Sequence, residues 1–168
     1  MSESLLADAC ARFDQAEVYR VESENHPVSF EANRLKEIKR RDTSGVALRV
    51  INKGRIGLSS TTDTSKEPEL IERTGNLARF GSEAAFQFPS HSKYPLVETF
   101  DRRVTCVSQQ SMIDVGRNLI ERLLDECPDL LCDATIGWSS SRTRITNSAG
   151  IDAEYGRTNY YCYLGAQL

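Results

Sequence analysis

Two histidines, five cysteines and a run of three serines are the residues of this 168-residue chain whose types could support acid–base, metal or nucleophilic chemistry. His26 precedes Pro27 in what reads as a turn, and His91 lies in a polar stretch bounded by Pro89 and Pro95. Both read as exposed loop histidines rather than general acids, bases or ligands. Cys127 and Cys132 have the spacing of a metal hook, but a zinc site needs four ligands and no second Cys or His pair matches. With Cys10, Cys106 and Cys162 they make an odd, scattered set that reads as reduced, buried structural thiols. Ser139, Ser140 and Ser141 form a polar run at the end of a predicted strand, with no histidine near them in sequence to act as base. Neither an HExxH nor an HExxxH run occurs, nor a Gly-x-Ser-x-Gly elbow, nor a phosphate-binding P-loop. The sequence assigns no catalytic, cofactor-binding or metal-ligating residue, and no cofactor, to these residues.

Charge and hydropathy exclude other classes. Lys and Arg number 21 against 24 Asp and Glu, for a net charge of -3, and the two signs are interleaved. The densest basic run, Lys36 to Arg41, is interrupted by Glu37 and Ile38 and followed by Asp42. It reads as a solvated strand face, so direct nucleic-acid binding is not expected. No stretch approaches the roughly 18 consecutive apolar residues that span a bilayer. Met1 to Asp8 lacks the basic start and apolar core of a signal peptide. A cytoplasmic protein with no membrane contact is the expectation.

The elements that would position any site follow from periodicity. Leu5, Leu6, Ala9, Cys10 and Phe13 recur at helical spacing. Extended chain is predicted over 17–23, 28–32 and 35–41, then a hairpin of Val46–Ile51 and Arg55–Ser60 around Asn52-Lys53-Gly54. Ser65 reads as the N-cap of a helix running to about Ala84, with Pro68 in its first turn and Leu70, Ile71, Leu77 and Ala78 inward. Residues 86–103 read as an irregular crossing. The strongest helix is 108–127, with a stripe including Met112, Ile113, Leu119, Ile120 and Leu123. Strands at 131–140, 142–147 and 151–164 follow, the last two joined by a turn at 147–150. Trp138 reads as packing rather than a ligand platform. The tyrosines at 155, 160, 161 and 163 put aromatics on both faces of the last strand, one face for the helices and the other open to a partner. Strands outnumber helices without β-α-β alternation. The fold class is therefore α+β, a mostly antiparallel sheet with about three helices packed on one face and an α-β-β pseudo-repeat between the two ends. One domain over 1–168 is preferred to a boundary within the crossing.

Several short motifs occur in a fixed order. Ala16-Glu17-Val18-Tyr19 and the stretch from Val28 to Leu35 come first. Gly45 to Val50, Gly54-Arg55-Ile56-Gly57 and Ser59-Ser60-Thr61-Thr62-Asp63 follow, and Ile145 to Gly150 closes the series. This series resembles the N-terminal domain of the TldD/PmbA family, and the Ala-Glu-Val opening with the serine-rich turn is closer to its PmbA-like branch. The resemblance implies a fragment of a considerably longer cytoplasmic prokaryotic subunit, in a family also named for modulation of DNA gyrase. It further implies a zinc metallopeptidase system cleaving peptides or unfolded chains. In that system zinc belongs to the full-length catalytic subunit, and the catalytic motif lies beyond these residues. The implied partners are a related TldD/PmbA-type subunit, in a homo- or hetero-oligomer, and peptide substrates. Leu168 following directly on a long strand suits a domain boundary; a complete small protein with a frayed terminus is the alternative.

Three functions stand at this point. The first is a non-catalytic scaffold and substrate-access domain of such a peptidase complex. The second is a freestanding protein-interaction module with no link to proteolysis, using an exposed strand edge. The third, an independent enzyme using Ser139–Ser141 or a cysteine, has the least support.

Overall fold

A computed structural model describes residues 2–91, 93–95 and 97–168. Helix α1 (Ser2–Cys10) leads into strand β1 (Gln15–Glu31), which is followed by β2 (Arg34–Ile38), β3 (Arg41–Asn52) and β4 (Arg55–Thr61). Helix α2 (Glu67–Ala78), the four-residue α3 (Arg102–Thr105) and the long α4 (Gln109–Glu126) precede β5 (Leu131–Asn147) and β6 (Asp152–Gln167). The strands form one six-stranded sheet in the order β4-β3-β1-β5-β6, with β2 also pairing on β1. The β1–β2 and β3–β4 ladders are antiparallel. A tight turn joins β5 to β6, a link only antiparallel neighbours can use. Lys53 and Gly54 both take positive φ, at 49° and 72°, as a two-residue hairpin loop requires. The fold is α+β, and the element runs α1-β1-β2 and α4-β5-β6 repeat one another in kind.

The chain forms two compact units, each assembled from three separate segments: 1–22, 43–97 and 142–155 in the first, and 23–42, 98–141 and 156–168 in the second. In the first unit, Ala16 and Val18 of β1 and Val46, Leu48 and Val50 of β3 alternate inward against Leu5 and Ala9 of α1 and Leu70, Ile71 and Ala78 of α2. In the second, Val28 and Phe30 of β1 and Cys132, Ala134, Ile136 and Trp138 of β5 pack on Met112, Ile113 and Ile120 of α4. Within each unit the helices cover one face of the strands, as period-two and period-3.6 patterns require.

Several elements differ from the sequence expectation, each for a local reason. The Glu24 to Pro27 stretch is not a turn, and β1 runs unbroken through it. Pro27 falls where the neighbouring strand changes, beside the break between β2 and β3, and such a break tolerates a missing N–H. That break comes after Ile38, so β3 opens at Arg41 rather than at Gly45. β5 likewise runs unbroken through Ser141. Helix α2 stops at Ala78, six residues short of the predicted end, because the following backbone finds partners on β4 and the turn before it: Ile56 N–H donates to the Ser82 carbonyl and Ala84 N–H donates to the Gly54 carbonyl. Asp63, not Ser65, supplies the cap, accepting from Ser65 N–H at 3.1 Å to start a short 3-10 turn ahead of α2.

The inward face of α2 is Leu70, Ile71, Thr74 and Ala78, with Leu77 turned out to solvent. Thr74 is fully buried because its hydroxyl donates to the Leu70 carbonyl at 2.7 Å and also bonds the Ser59 hydroxyl of β4. The helix lies this close to β4 because position 57 is glycine: a Cβ there would sit 2.4 Å from the Thr74 carbonyl oxygen and 2.9 Å from Ala78 Cβ. Gly57→Ala is expected to destabilise the fold by about 2 kcal/mol, read as a lowered melting temperature, since the obstruction is helix backbone and cannot rotate away.

Candidate functional site

The residues singled out by type do not converge. His26 lies on β1 with its imidazole stacked on the Trp138 ring, centroids 4.0 Å apart, and its Nε2 is 2.6 Å from Glu24 Oε1. It is a half-buried strand histidine rather than an exposed loop one, and its partner is a carboxylate rather than a serine hydroxyl. The serine run sits in mid-strand on β5, not at a strand end. Trp138 is buried and donates its indole N–H to the Val107 carbonyl at 3.2 Å, so it is packing. His91 is exposed in the crossing.

All five cysteines are free, but only Cys132 is buried; Cys10, Cys106 and Cys162 are exposed, which corrects the expectation of buried structural thiols. Desolvation pushes the Cys10 thiol up, the opposite of what an activated nucleophile needs. Among the described residues no three His, Cys, Asp or Glu side chains stand close enough to hold a metal.

Three of the four cations of the basic run are paired in place. Lys36 pairs with Glu31, Lys39 with Glu37, and Arg40 with both Asp42 and Glu24. On β6 no residue is fully buried, so neither face is covered as the expectation of a helix-packed face required. Tyr161 is tied by its hydroxyl to Asn25 Oδ1 at 2.8 Å, and burial pushes its phenol up; Tyr155 and Tyr163 stand largely exposed.

What the structure does assemble is a cleft of about 440 Å³ within the first unit. Helix α1 gives it an apolar wall through Leu6 and Ala7, and the β5–β6 turn gives it Ser148, Gly150 and Ile151. Two arginines line it, Arg20 from β1 and Arg144 from β5. Arg20 occupies an inward position two residues after Val18, and its Nη1 is 2.6 Å from Glu67 Oε1 at the start of α2. Arg144 grips Asp152 of β6 with two bonds of 2.8 and 2.7 Å. The turn between them is built by Asn147, whose Oδ1 accepts from the N–H groups of Ala149 and Ile151, both at 3.0 Å, while its Nδ2 donates to the Pro89 carbonyl. Ser148 fastens the turn to β1 through reciprocal bonds with the Ala16 backbone.

Hydrogen bonding to Arg144 holds the Asp152 carboxyl below its ordinary range. A depressed folded-state pKa contributes stability that is present above the unfolded value and lost as pH falls through the folded one. Asp152→Asn should therefore be less stable than the native chain at neutral pH, and the gap should close on acidification. Denaturant midpoints across an acid pH series measure it.

Neither arginine was singled out by residue type. One signal was available for Arg20: a charge at the third inward position of a strand whose first two, Ala16 and Val18, are apolar.

Residues 16–84 match the family model described as PmbA/TldA metallopeptidase domain 1. Residues 16–84 thus carry the first domain of the TldD/PmbA family. Five of the six motif segments read from the sequence lie inside that match. The solved structures it resembles share its fold at low identity. TldE from Thermococcus kodakarensis superposes with a TM-score of 0.87 at 20% identity, covering 98% of this chain and 38% of that one. A candidate modulator of a DNA gyrase from Thermotoga maritima gives 0.77 at 14% identity, over 98% of this chain and 42% of that one. A further candidate modulator of DNA gyrase, from Bacteroides thetaiotaomicron, gives 0.83 at 14%, over 96% and 39%. The chain spans about two fifths of the solved chains it matches. No curated protein matches it in sequence. No helix among its described residues is long and apolar enough to cross a membrane.

Proposed function

We propose that this chain is a non-catalytic scaffold and substrate-access domain of a TldD/PmbA-like metallopeptidase complex that degrades peptides or unfolded proteins in the cytoplasm. The observation that carries the reading is the match of residues 16–84 to the first domain of a metallopeptidase family. The mechanism is steric: the domain helps wall a chamber and pair related subunits, so that extended chains reach a metal held elsewhere. Zinc then belongs to the catalytic subunit of the complex, and the partners are a related TldD/PmbA-type subunit and the peptide itself, with no direct nucleic-acid or membrane contact. The motif details favour the PmbA-like branch.

The test compares the longer protein containing this chain with a version lacking it, each mixed with its related subunit and zinc. Removing the domain should abolish subunit pairing or let folded proteins be cleaved alongside unfolded ones. Unchanged pairing and unchanged discrimination between folded and unfolded substrates would contradict the proposal.

A second reading, a protein-interaction module unconnected with proteolysis, draws on β6, an edge strand with Tyr155 and Tyr163 exposed. Tight binding of a protein unrelated to the peptidase, with no effect on proteolysis, would favour it.

A further inference from the structure

The cleft holds an unsatisfied half of a guanidinium. Arg20 spends Nη1 on Glu67, but its Nε and Nη2 are shielded from solvent and have no hydrogen-bond partner. Those two nitrogens form the side-on edge of the guanidinium, whose parallel N–H groups match the two oxygens of a carboxylate. Leaving both donors buried and unpaired costs free energy. A group that supplies two acceptors at once recovers that cost. Arg20 lines the cleft, and its guanidinium must rotate as a ligand enters for this edge to reach it.

The surroundings select what enters. Arg20 and Arg144 are each paired with a carboxylate, Glu67 and Asp152, so these four charges sum to zero. A neutral surround tolerates a monoanion better than a phosphate dianion, which the two carboxylates repel more strongly. Leu6 and Ile151 beside the arginines offer an apolar wall for whatever carries the charge. The volume of about 440 Å³ lies in the range of small-ligand sites.

We propose that this cleft is a carboxylate-binding site, in which the free Nε–Nη2 edge of Arg20 grips the carboxylate of a small apolar acid or a peptide C-terminus. The site lies within one unit and stands whether or not the chain serves in proteolysis.

The probes are N-acetyl-leucine, its uncharged counterpart N-acetyl-leucinamide, and inorganic phosphate, each titrated into the folded chain and followed by amide NMR shifts around the cleft. The acid should shift these amides saturably, and the amide and phosphate should bind roughly ten- to hundredfold more weakly. Arg20→Lys keeps the charge and loses the fork, and it should weaken the acid by a similar factor, as should Arg20→Met. If one variant fails to fold, the other carries the comparison. Absence of saturable shifts with the acid, equal binding of acid and amide, preference for phosphate, or undiminished binding by a folded Arg20 variant would each overturn the proposal.

Discussion

Gly116→Val is expected to lower the stability of the chain by about 3 kcal/mol or more, the upper end of what overpacking a core costs. Gly116 lies on the buried face of α4, and a Cβ built there would sit 2.2 Å from Phe30 Cε2, 2.7 Å from Phe30 Cζ and 2.9 Å from Ile136 Cδ1. Phe30 is 3% exposed and Ile136 wholly buried, so neither can swing into solvent to make room. Helix propensity pulls the other way, since glycine is a poor interior residue, but valine recovers only a few tenths of a kcal/mol of that. The steric effect wins. In a chain of this size the loss corresponds to a melting temperature lower by roughly 10 °C. Arg117→Ala, one position along and exposed, should change stability by no more than about 0.5 kcal/mol. Equal melting temperatures for Gly116→Val and the native chain would mean that α4 does not seat against Phe30.

Asn147→Ala should cost about 2–3 kcal/mol, although it deletes a small polar group from a turn. The side chain is only 3% exposed and makes three bonds, two accepted from the turn backbone and one donated to the Pro89 carbonyl. Alanine leaves the buried Ile151 N–H without its partner, and each such orphan carries its full desolvation penalty. The change should also release the Pro89 segment from the β5–β6 turn. Denaturant unfolding gives the stability, and faster amide hydrogen exchange at Ala149 and Ile151 should localise the loss. A variant with native stability and exchange would show that the turn holds without its asparagine.

The two asparagines illustrate what the sequence could and could not reveal. Asn147 reads as a turn residue, while Asn33 falls between two predicted strands. Asn147 closes its own turn, a local role that the Asn-Ser-Ala-Gly composition announces. Asn33, at φ 69°, instead bridges to β5, accepting from Cys132 N–H at 2.7 Å and donating to the Leu130 carbonyl at 2.7 Å. That role depends on a partner about a hundred residues away, and no local pattern encodes it. Helix α4 and the β3–β4 hairpin were legible because periodicity, cap and turn residues all lie within them. β1 was misread because His26-Pro27 looks like a turn until the neighbouring strands are known. The cleft was invisible for the same reason as the bridge from Asn33. Arg20, Arg144 and the wall from α1 come from separated segments, and each is unremarked in its own stretch. Thr74 and Leu77 exchanged places for a smaller reason: the helix phase set by Leu70, Ile71 and Ala78 takes in position 74 and leaves out 77, and the Leu70 carbonyl makes a buried hydroxyl acceptable.

The central claim is that these residues form a family domain whose chemistry, if the assembled protein is a peptidase, is carried elsewhere. The most direct measurement is cleavage of an unstructured peptide by the isolated 168-residue chain, with and without added zinc, beside the full-length protein with its related subunit. The account predicts no cleavage by the chain alone under either condition, and zinc-dependent cleavage by the assembled system. Zinc-dependent cleavage by the chain alone, abolished by a chelator and restored by the metal, would contradict it.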